Sequence, residues 1–375
     1  MRLIHLTSSG GWGGREMYPA SLAAAQAGRG HTVSLVAKKN TPLSRFLASS
    51  SLDHDLLRVG PYIDPAAALE LCRIIKLRKP EVIQVHLSRD LALVSLACRL
   101  ARLRPALILH KHIASAGNKK DLFHRYLYGR LSAVVAVSEF VKRSLVASCP
   151  IEPGRVRVIF NGVDIVKFRA ADRSAEPGRS ELRRELGAVD EETRLVGVVG
   201  RLDPRKGQQW LIQAAARLGG SVPELRCVLI GASEGDYRSR LEREVETLGL
   251  GGKVLFCGYR EEVRDIFSAL DILVVPSFEE AFGLVAVEGM LSGLPVIAAA
   301  SGALPEFIED GATGLLVEQG NVEALAGILE RLAGDKELRS ALGSRGRAWA
   351  AQNLSLERVL GQLDDLYREC LAGGR

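Results

Sequence analysis

Short apolar runs rich in β-branched residues alternate along this chain with longer amphipathic stretches. They fall at residues 3–6, 33–37, 82–85, 107–110, 134–137 and 156–160, and again at 195–199, 227–230, 254–257, 272–275, 295–298 and 315–317. Runs of this length, separated by helix-length segments, are the βαβ rhythm of a parallel sheet buried on both faces. Two such series predict two doubly wound α/β domains. Between them the periodicity gives way to Asn161-Gly-Val-Asp and a polar stretch over 169–179, which predicts a first domain over 1–168 and a second over 169–354. The last segment, about 355–375, carries Leu356, Val359, Leu360, Leu363 and Leu366 at helical spacing. It is expected to be an amphipathic helix that needs a surface to cover, and the pattern alone does not say which domain supplies it.

Length supports this division, because 375 residues with 47% hydrophobic content exceed one ordinary core. The six cysteines are scattered, with neither a Cys-x-x-Cys pair nor a histidine cluster at ligand spacing, so neither a zinc site nor a disulfide framework is expected. The N-terminus lacks the features of a signal peptide, and no uncharged apolar run reaches the roughly 20 residues that span a bilayer. A cytoplasmic protein is expected, with any membrane contact peripheral. Charge is unevenly placed. Residues 1–170 hold 26 Lys/Arg against 11 Asp/Glu, leaving 24 against 33 of the chain's 50 and 44 for the remainder. The basic half fits an anionic acceptor or the cytoplasmic face of an anionic inner membrane, while the acidic half argues against nucleic acid as a partner.

Candidate chemistry concentrates after strands of the second series. In Gly200-Arg-Leu-Asp-Pro-Arg-Lys-Gly207, Arg201 and Lys206 stand on a short loop at a strand's C-terminal end, where open α/β sheets place ligands. A forked guanidinium and a point-charge ammonium there suit a pyrophosphate. After the strand at 272–275, Glu280 falls in a glycine-containing turn and Glu288 about two turns into the following helix, so one carboxylate can reach a sugar and the other a ribose. The backbone N–H groups of Ala281, Phe282, Gly283 and Leu284, at that helix's start, form a ready anion site.

In the first half, Ser8-Ser-Gly-Gly-Trp-Gly-Gly-Arg-Glu16 opens a helix after the first strand, but the third glycine of a dinucleotide fingerprint is replaced by Glu16 and the second strand ends in Lys38-Lys39. NAD binding is therefore not expected. Trp12 and Tyr18 are aromatics that could stack on a sugar or belong to the core. His110 and His112 end the fourth strand run, where such sheets place ligands, and His86, ending the third, is a candidate on the acceptor side. Asp53-His-Asp55 spells a metal-binding triplet but follows no apolar strand run, so no metal is assigned to it.

The run Gly-Arg-Leu-Asp-Pro-Arg-Lys-Gly, then Phe256-Cys-Gly-Tyr-Arg260, then Glu280-Ala-Phe-Gly-Leu-Val-Ala-Val-Glu288 with Gly293-Leu-Pro-Val-Ile-Ala298, resembles the retaining GT-B glycosyltransferases of family 4, also called glycosyl transferases group 1. The resemblance implies GT-B architecture, two Rossmann-like domains facing a cleft, with the last helix crossing back onto the first. It implies metal-independent, retaining transfer from a nucleoside diphosphate sugar (a UDP-, GDP- or ADP-sugar) to a glycan or lipid-linked acceptor, as in lipopolysaccharide, glycolipid or exopolysaccharide assembly. No cofactor beyond that donor is implied. By the same resemblance Arg201 and Lys206 hold the diphosphate, Glu280 meets sugar hydroxyls and Glu288 the ribose. Gly258, Tyr259 and Arg260 lie at the base, and Gly13 and Gly14, from Gly-Gly-x-Glu16, let backbone approach the phosphate. His112, preferred over His110 by register, contacts the reacting sugar. A sugar-nucleotide epimerase and a non-catalytic sugar-nucleotide-binding protein are the alternatives.

Overall fold

A computed structural model describes residues 1–60, 64–115, 117–168, 178–233 and 235–373. The chain divides into two compact units, Met1–Gly162 with Leu356–Arg375, and Val163–Ser355. Among the described residues the first contains seven strands: β1 (Arg2–Thr7), β2 (Thr32–Lys38), β3 (His54–Leu57), β4 (Val82–Val85), β5 (Ala106–Lys111), β6 (Ala133–Ala136) and β7 (Val156–Val158). They pair in parallel in the order β3-β2-β1-β4-β5-β6-β7. The second contains β8 (Arg194–Val199), β9 (Leu225–Ile230), β10 (Val254–Gly258), β11 (Ile272–Val275), β12 (Val296–Ala299) and β13 (Leu315–Val317), parallel in the order β10-β9-β8-β11-β12-β13. In each sheet the order reverses once, beside β1 in the first and beside β8 in the second. Loops leaving the two strands at such a point diverge and open a crevice at their carboxyl ends.

Twelve of these strands lie on the apolar runs of the sequence, and β4, β5, β6, β11 and β12 are buried along their whole length. β3 does not follow an apolar run. It is a short edge strand whose first residues are His54 and Asp55, so neither apolar run nor alternation marks it. The two acids of Asp53-His-Asp55 are bound by Arg78, which bonds both oxygens of Asp53 at 2.5 and 2.8 Å and Asp55 at 3.2 Å.

The chain passes into the second unit at Val163, within the Asn161-Gly-Val-Asp segment and ahead of the limit at 168 read from the sequence. Val163 donates to Leu354 O at 2.9 Å and pairs with Ser355, and Phe168 is buried, which binds this segment to the second unit. Residues 169–177 of that polar stretch lie outside the described residues. The helix Leu356–Gly373 returns to the first unit. Its Val359, Leu360, Leu363, Leu366 and Tyr367 join Leu3, Tyr18, Leu22, Val82, Ile108 and Val135 in one core cluster. Arg29 to Glu357 and His31 to Asp364, both at 2.9 Å, fix its register. Among the described residues no helix is long and apolar enough to cross a membrane.

Candidate functional site

In the second unit the loops after β8 and β11 are stitched together. Asp203 accepts the Arg205 backbone N–H at 2.9 Å and opens the turn Pro204–Lys206. Its carboxyl is held down to about 2, first by the Arg205 side chain, which bonds it at 3.1 and 3.0 Å. Arg201 reaches the same carboxylate at 3.3 Å, and its carbonyl accepts from Gln208 Nε2 at 2.9 Å. The turn closes at Gly207 with φ +69, where a Cβ would lie 2.1 Å from Pro276 O. Only glycine fits both that conformation and that approach. Phe278 N–H then donates to Arg205 O at 2.8 Å.

This stitching brings Lys206 and Glu280 together: Lys206 Nζ lies 2.9 and 2.8 Å from the two carboxylate oxygens. Glu280 is clamped from behind by Gly302, where a Cβ would lie 2.3 Å from Glu280 O, and by Ala303 N–H at 2.8 Å from the same oxygen. The two side chains remain 32% and 20% exposed, so a ligand can reach the pair.

Gly283, φ +90, caps the helix Leu284–Leu291, and the N–H groups of Gly283 and Leu284 have no hydrogen bond among the described residues. Phe282 turns its ring into the core against Phe307, so only its backbone faces the loop. Ala281 is half-buried beside it. Two turns on, the half-buried Glu288 carboxylate has no hydrogen-bond partner among the described residues. Burial pushes its carboxyl up to about 7, against the opposing charge of Lys167. Gly258 ends β10 at φ +65, with its carbonyl accepting from Gly231 N–H at 2.7 Å. Tyr259 beyond it is 60% exposed, whereas Arg260 is ion-paired to Glu185.

In the first unit Gly13 caps the helix Gly14–Gly28 in extended backbone. The loop before it is pinned by two buried acids that the sequence reading did not single out as anchors. Glu16 accepts from Ser9 Oγ at 2.6 Å and Arg15 Nε at 2.8 Å, and Asp90 accepts from the Ser8 N–H at 2.9 Å. Trp12 is exposed beside Phe46, while Tyr18 is buried, with its hydroxyl accepting from Gly162 N–H at 3.1 Å.

The fold also makes a histidine cluster where linear spacing showed none. His5, His86, His110 and His112, from β1, the end of β4 and the end of β5, stand buried on one face of the sheet. Nitrogens of His86, His110 and His112 lie within 4.8 Å of one another. Their ring planes are nearly parallel, 14° apart between His110 and His112 and 12° between His86 and His112. His86 Nδ1 and His112 Nε2 already share a hydrogen bond at 2.9 Å. The set fits a hydrogen-bonded stack better than a metal's ligand sphere. Desolvation lowers His5 to about 4 and His112 to about 3, and also depresses His86 and His110, so all four are neutral. Lys111, between two of them, is lowered to about 8, chiefly by burial. The signal in the sequence was the polar period of two inside buried strands, Gln84-x-His86 and His110-x-His112.

Residues 12–167 match the family described as Glycosyltransferase Family 4, and residues 179–349 the one described as Glycosyl transferases group 1. The chain belongs to this glycosyltransferase family. A D-inositol 3-phosphate glycosyltransferase of Corynebacterium kroppenstedtii is 31% identical over 78% of this chain and 63% of its own length. One from Corynebacterium glutamicum is 37% identical over 59% of this chain and 53% of its own. The chain thus spans between about half and three-fifths of the length of these curated relatives. Among solved structures, a glycosyltransferase from Rickettsia africae superposes with a TM-score of 0.86 at 24% identity, covering 98% of both chains. Anabaena HepE, solved in complex with UDP, gives 0.84 at 24% identity over 98% of this chain and 100% of its own. At that identity the likeness establishes the fold, the GT-B class expected from the sequence.

Proposed function

We propose that the chain transfers a glycosyl group from a nucleoside diphosphate sugar to a hydroxyl of a glycan or lipid-linked acceptor, with retention of anomeric configuration. The observation that carries this reading is the Lys206–Glu280 pair, held by two interlocked loops at the point where the second sheet reverses its order. A diphosphate arriving there competes for Lys206 and Arg201 and meets the open N–H groups of Gly283 and Leu284. Glu280, freed from Lys206, turns to sugar hydroxyls. Glu288 accepts from ribose hydroxyls, and Tyr259 offers its face to the base. UDP in HepE supports a uridine diphosphate as the first donor to try. As the bond from the anomeric carbon to the phosphate oxygen breaks, the acceptor oxygen bonds that carbon from the same face and its proton passes to the departing phosphate. The leaving charge is met by Arg201, Lys206 and the helix start. A thermal-shift series with UDP, GDP and ADP tests the site: one nucleotide raises the melting temperature of the wild type. Lys206→Ala abolishes that shift and lowers kcat by about a hundredfold or more. Normal turnover in Lys206→Ala rules the assignment out.

The first unit is proposed to recognise the acceptor. Its basic surplus fits a phosphorylated or membrane-borne compound, in keeping with the inositol phosphate in the relatives' names. The helix Leu122–Gly129 exposes Leu122, Phe123 and Tyr126 beside Lys119, Lys120 and Arg125, a combination suited to the interface of an anionic leaflet. Cosedimentation with vesicles containing anionic lipid is expected, and to weaken as salt rises. Binding that is indifferent to salt, or equal on neutral vesicles, contradicts it.

A further inference from the structure

Seven buried polar side chains of the first unit form a single directed chain. With the Gln26 amide oriented as it stands, Oε1 lies 2.6 Å from His5 Nε2, and that orientation puts the proton on Nε2 and leaves His5 Nδ1 a bare lone pair. His86 Nε2, 3.0 Å from His5 Nδ1, must then be the donor, leaving His86 Nδ1 bare. His112 Nε2, 2.9 Å from His86 Nδ1, donates in its turn. On the far side Gln26 Nε2 donates to the Tyr367 hydroxyl at 3.0 Å, Tyr367 donates to Gln84 Oε1, and Gln84 Nε2 donates to His110 Nδ1 at 2.5 Å. Each imidazole is neutral and each fixes the tautomer of the next.

The two ends differ. His110 Nε2 is sealed in the interior with no partner among the described residues, whereas His112 Nδ1 has no hydrogen bond among them and belongs to a side chain that keeps 7% exposure. We propose that His86, backed by His5 and Gln26, is a positioning residue that fixes His112 as its Nε2–H tautomer, so that the nitrogen left for a ligand is a hydrogen-bond acceptor. An uncharged acceptor takes a hydroxyl proton and offers nothing to a phosphate oxygen. The group that meets His112 is therefore a sugar or polyol hydroxyl, and phosphates are bound elsewhere. The part of this that concerns catalysis rests on the proposed transferase reading; the tautomer does not.

The test uses the full-length protein labelled with nitrogen-15 in its histidines. Long-range proton–nitrogen correlation is expected to show His112 with a protonated Nε2 and a bare Nδ1, unchanged between about pH 5 and 8. His86→Leu removes the acceptor, and His112 becomes a mixture of tautomers, with kcat falling about 10-fold to 100-fold and donor KM little changed. His86→Asn, whose amide oxygen can stand where Nδ1 stood, restores both. A protonated Nδ1 in the wild type, a titration near the ordinary histidine value, a stoichiometric metal ion in place of the Nε2 proton, or an unaltered tautomer in His86→Leu would each overturn the inference. The wild-type spectrum decides the tautomer even if His86→Leu does not fold. A tautomer that shifts in His86→Leu while turnover stays normal sinks instead the assignment of His112 to the reacting sugar.

Discussion

Glu288 combines two demands that pull apart. Its carboxyl, raised to about 7 by burial, binds a proton in the folded chain at pH values where the unfolded chain has lost it. The stability this confers is complete below the ordinary glutamate value, about 4.3, and is lost as pH rises through about 7. Glu288→Gln removes the buried charge. Urea unfolding is expected to show the variant more stable than wild type by about 3 kcal/mol at pH 8 and close to it near pH 4.5. On the proposed reading the same variant binds nucleotide more weakly, so stability and affinity move in opposite directions. Equal stability at pH 8 would mean that the carboxylate is not desolvated. Glu280 is ion-paired directly to Lys206, whereas Glu288 feels the charge of Lys167 without a direct ion pair to it. Sequence spacing drew attention to both glutamates but could not distinguish them in this respect.

Elements differ in how openly the sequence declares them. Twelve strands were legible because burial on both faces demands unbroken apolar runs, whereas β3 escaped notice because an edge strand can be polar. The loop after β8 was legible through its charges, but not the part played by Asp203, which reads as a turn acid until Arg201 and Arg205 are seen on it. The histidine stack was hidden for another reason: its members come from three strands, and linear spacing does not register neighbours across a sheet. The helix Leu356–Gly373 was legible as amphipathic, and the structure adds what it covers. It buries Val359, Leu360, Leu363, Leu366 and Tyr367, each contributing about 1.5 to 3 kcal/mol. That total rivals the whole stability of an ordinary domain, about 5 to 15 kcal/mol. A chain ending before Leu356 is therefore expected to lose cooperative melting of the first unit while the second still melts. Hydrogen exchange resolved by peptide checks this, and protected β1 and β4 in the truncated chain would contradict it.

At the scale of the molecule the two units answer pH differently. The first carries four histidines that are neutral when folded and ordinary when unfolded, so its stability falls as pH drops from about 6.5 toward the lowered values. At pH 5 His5 and His112, at about 4 and about 3 when folded, each account for roughly 2 kcal/mol of that loss. Glu288 acts in the opposite sense on the second unit. Between pH 7 and 5, exchange protection is expected to decline in the first unit relative to the second; a parallel decline in both would show that the histidines are not buried as neutral groups. The return of the final helix has a further consequence, for the order of events during synthesis. Residues 1–162 leave the ribosome first, yet the hydroxyl of Tyr367 that joins Gln26 to Gln84 follows only after the whole second unit has been made. At about 5 to 20 residues per second, the intervening chain takes on the order of 10 to 40 s to translate. Throughout that interval the nascent first sheet must hold an uncovered apolar face and an unfinished polar chain, which makes it a natural client for a chaperone until the helix Leu356–Gly373 emerges.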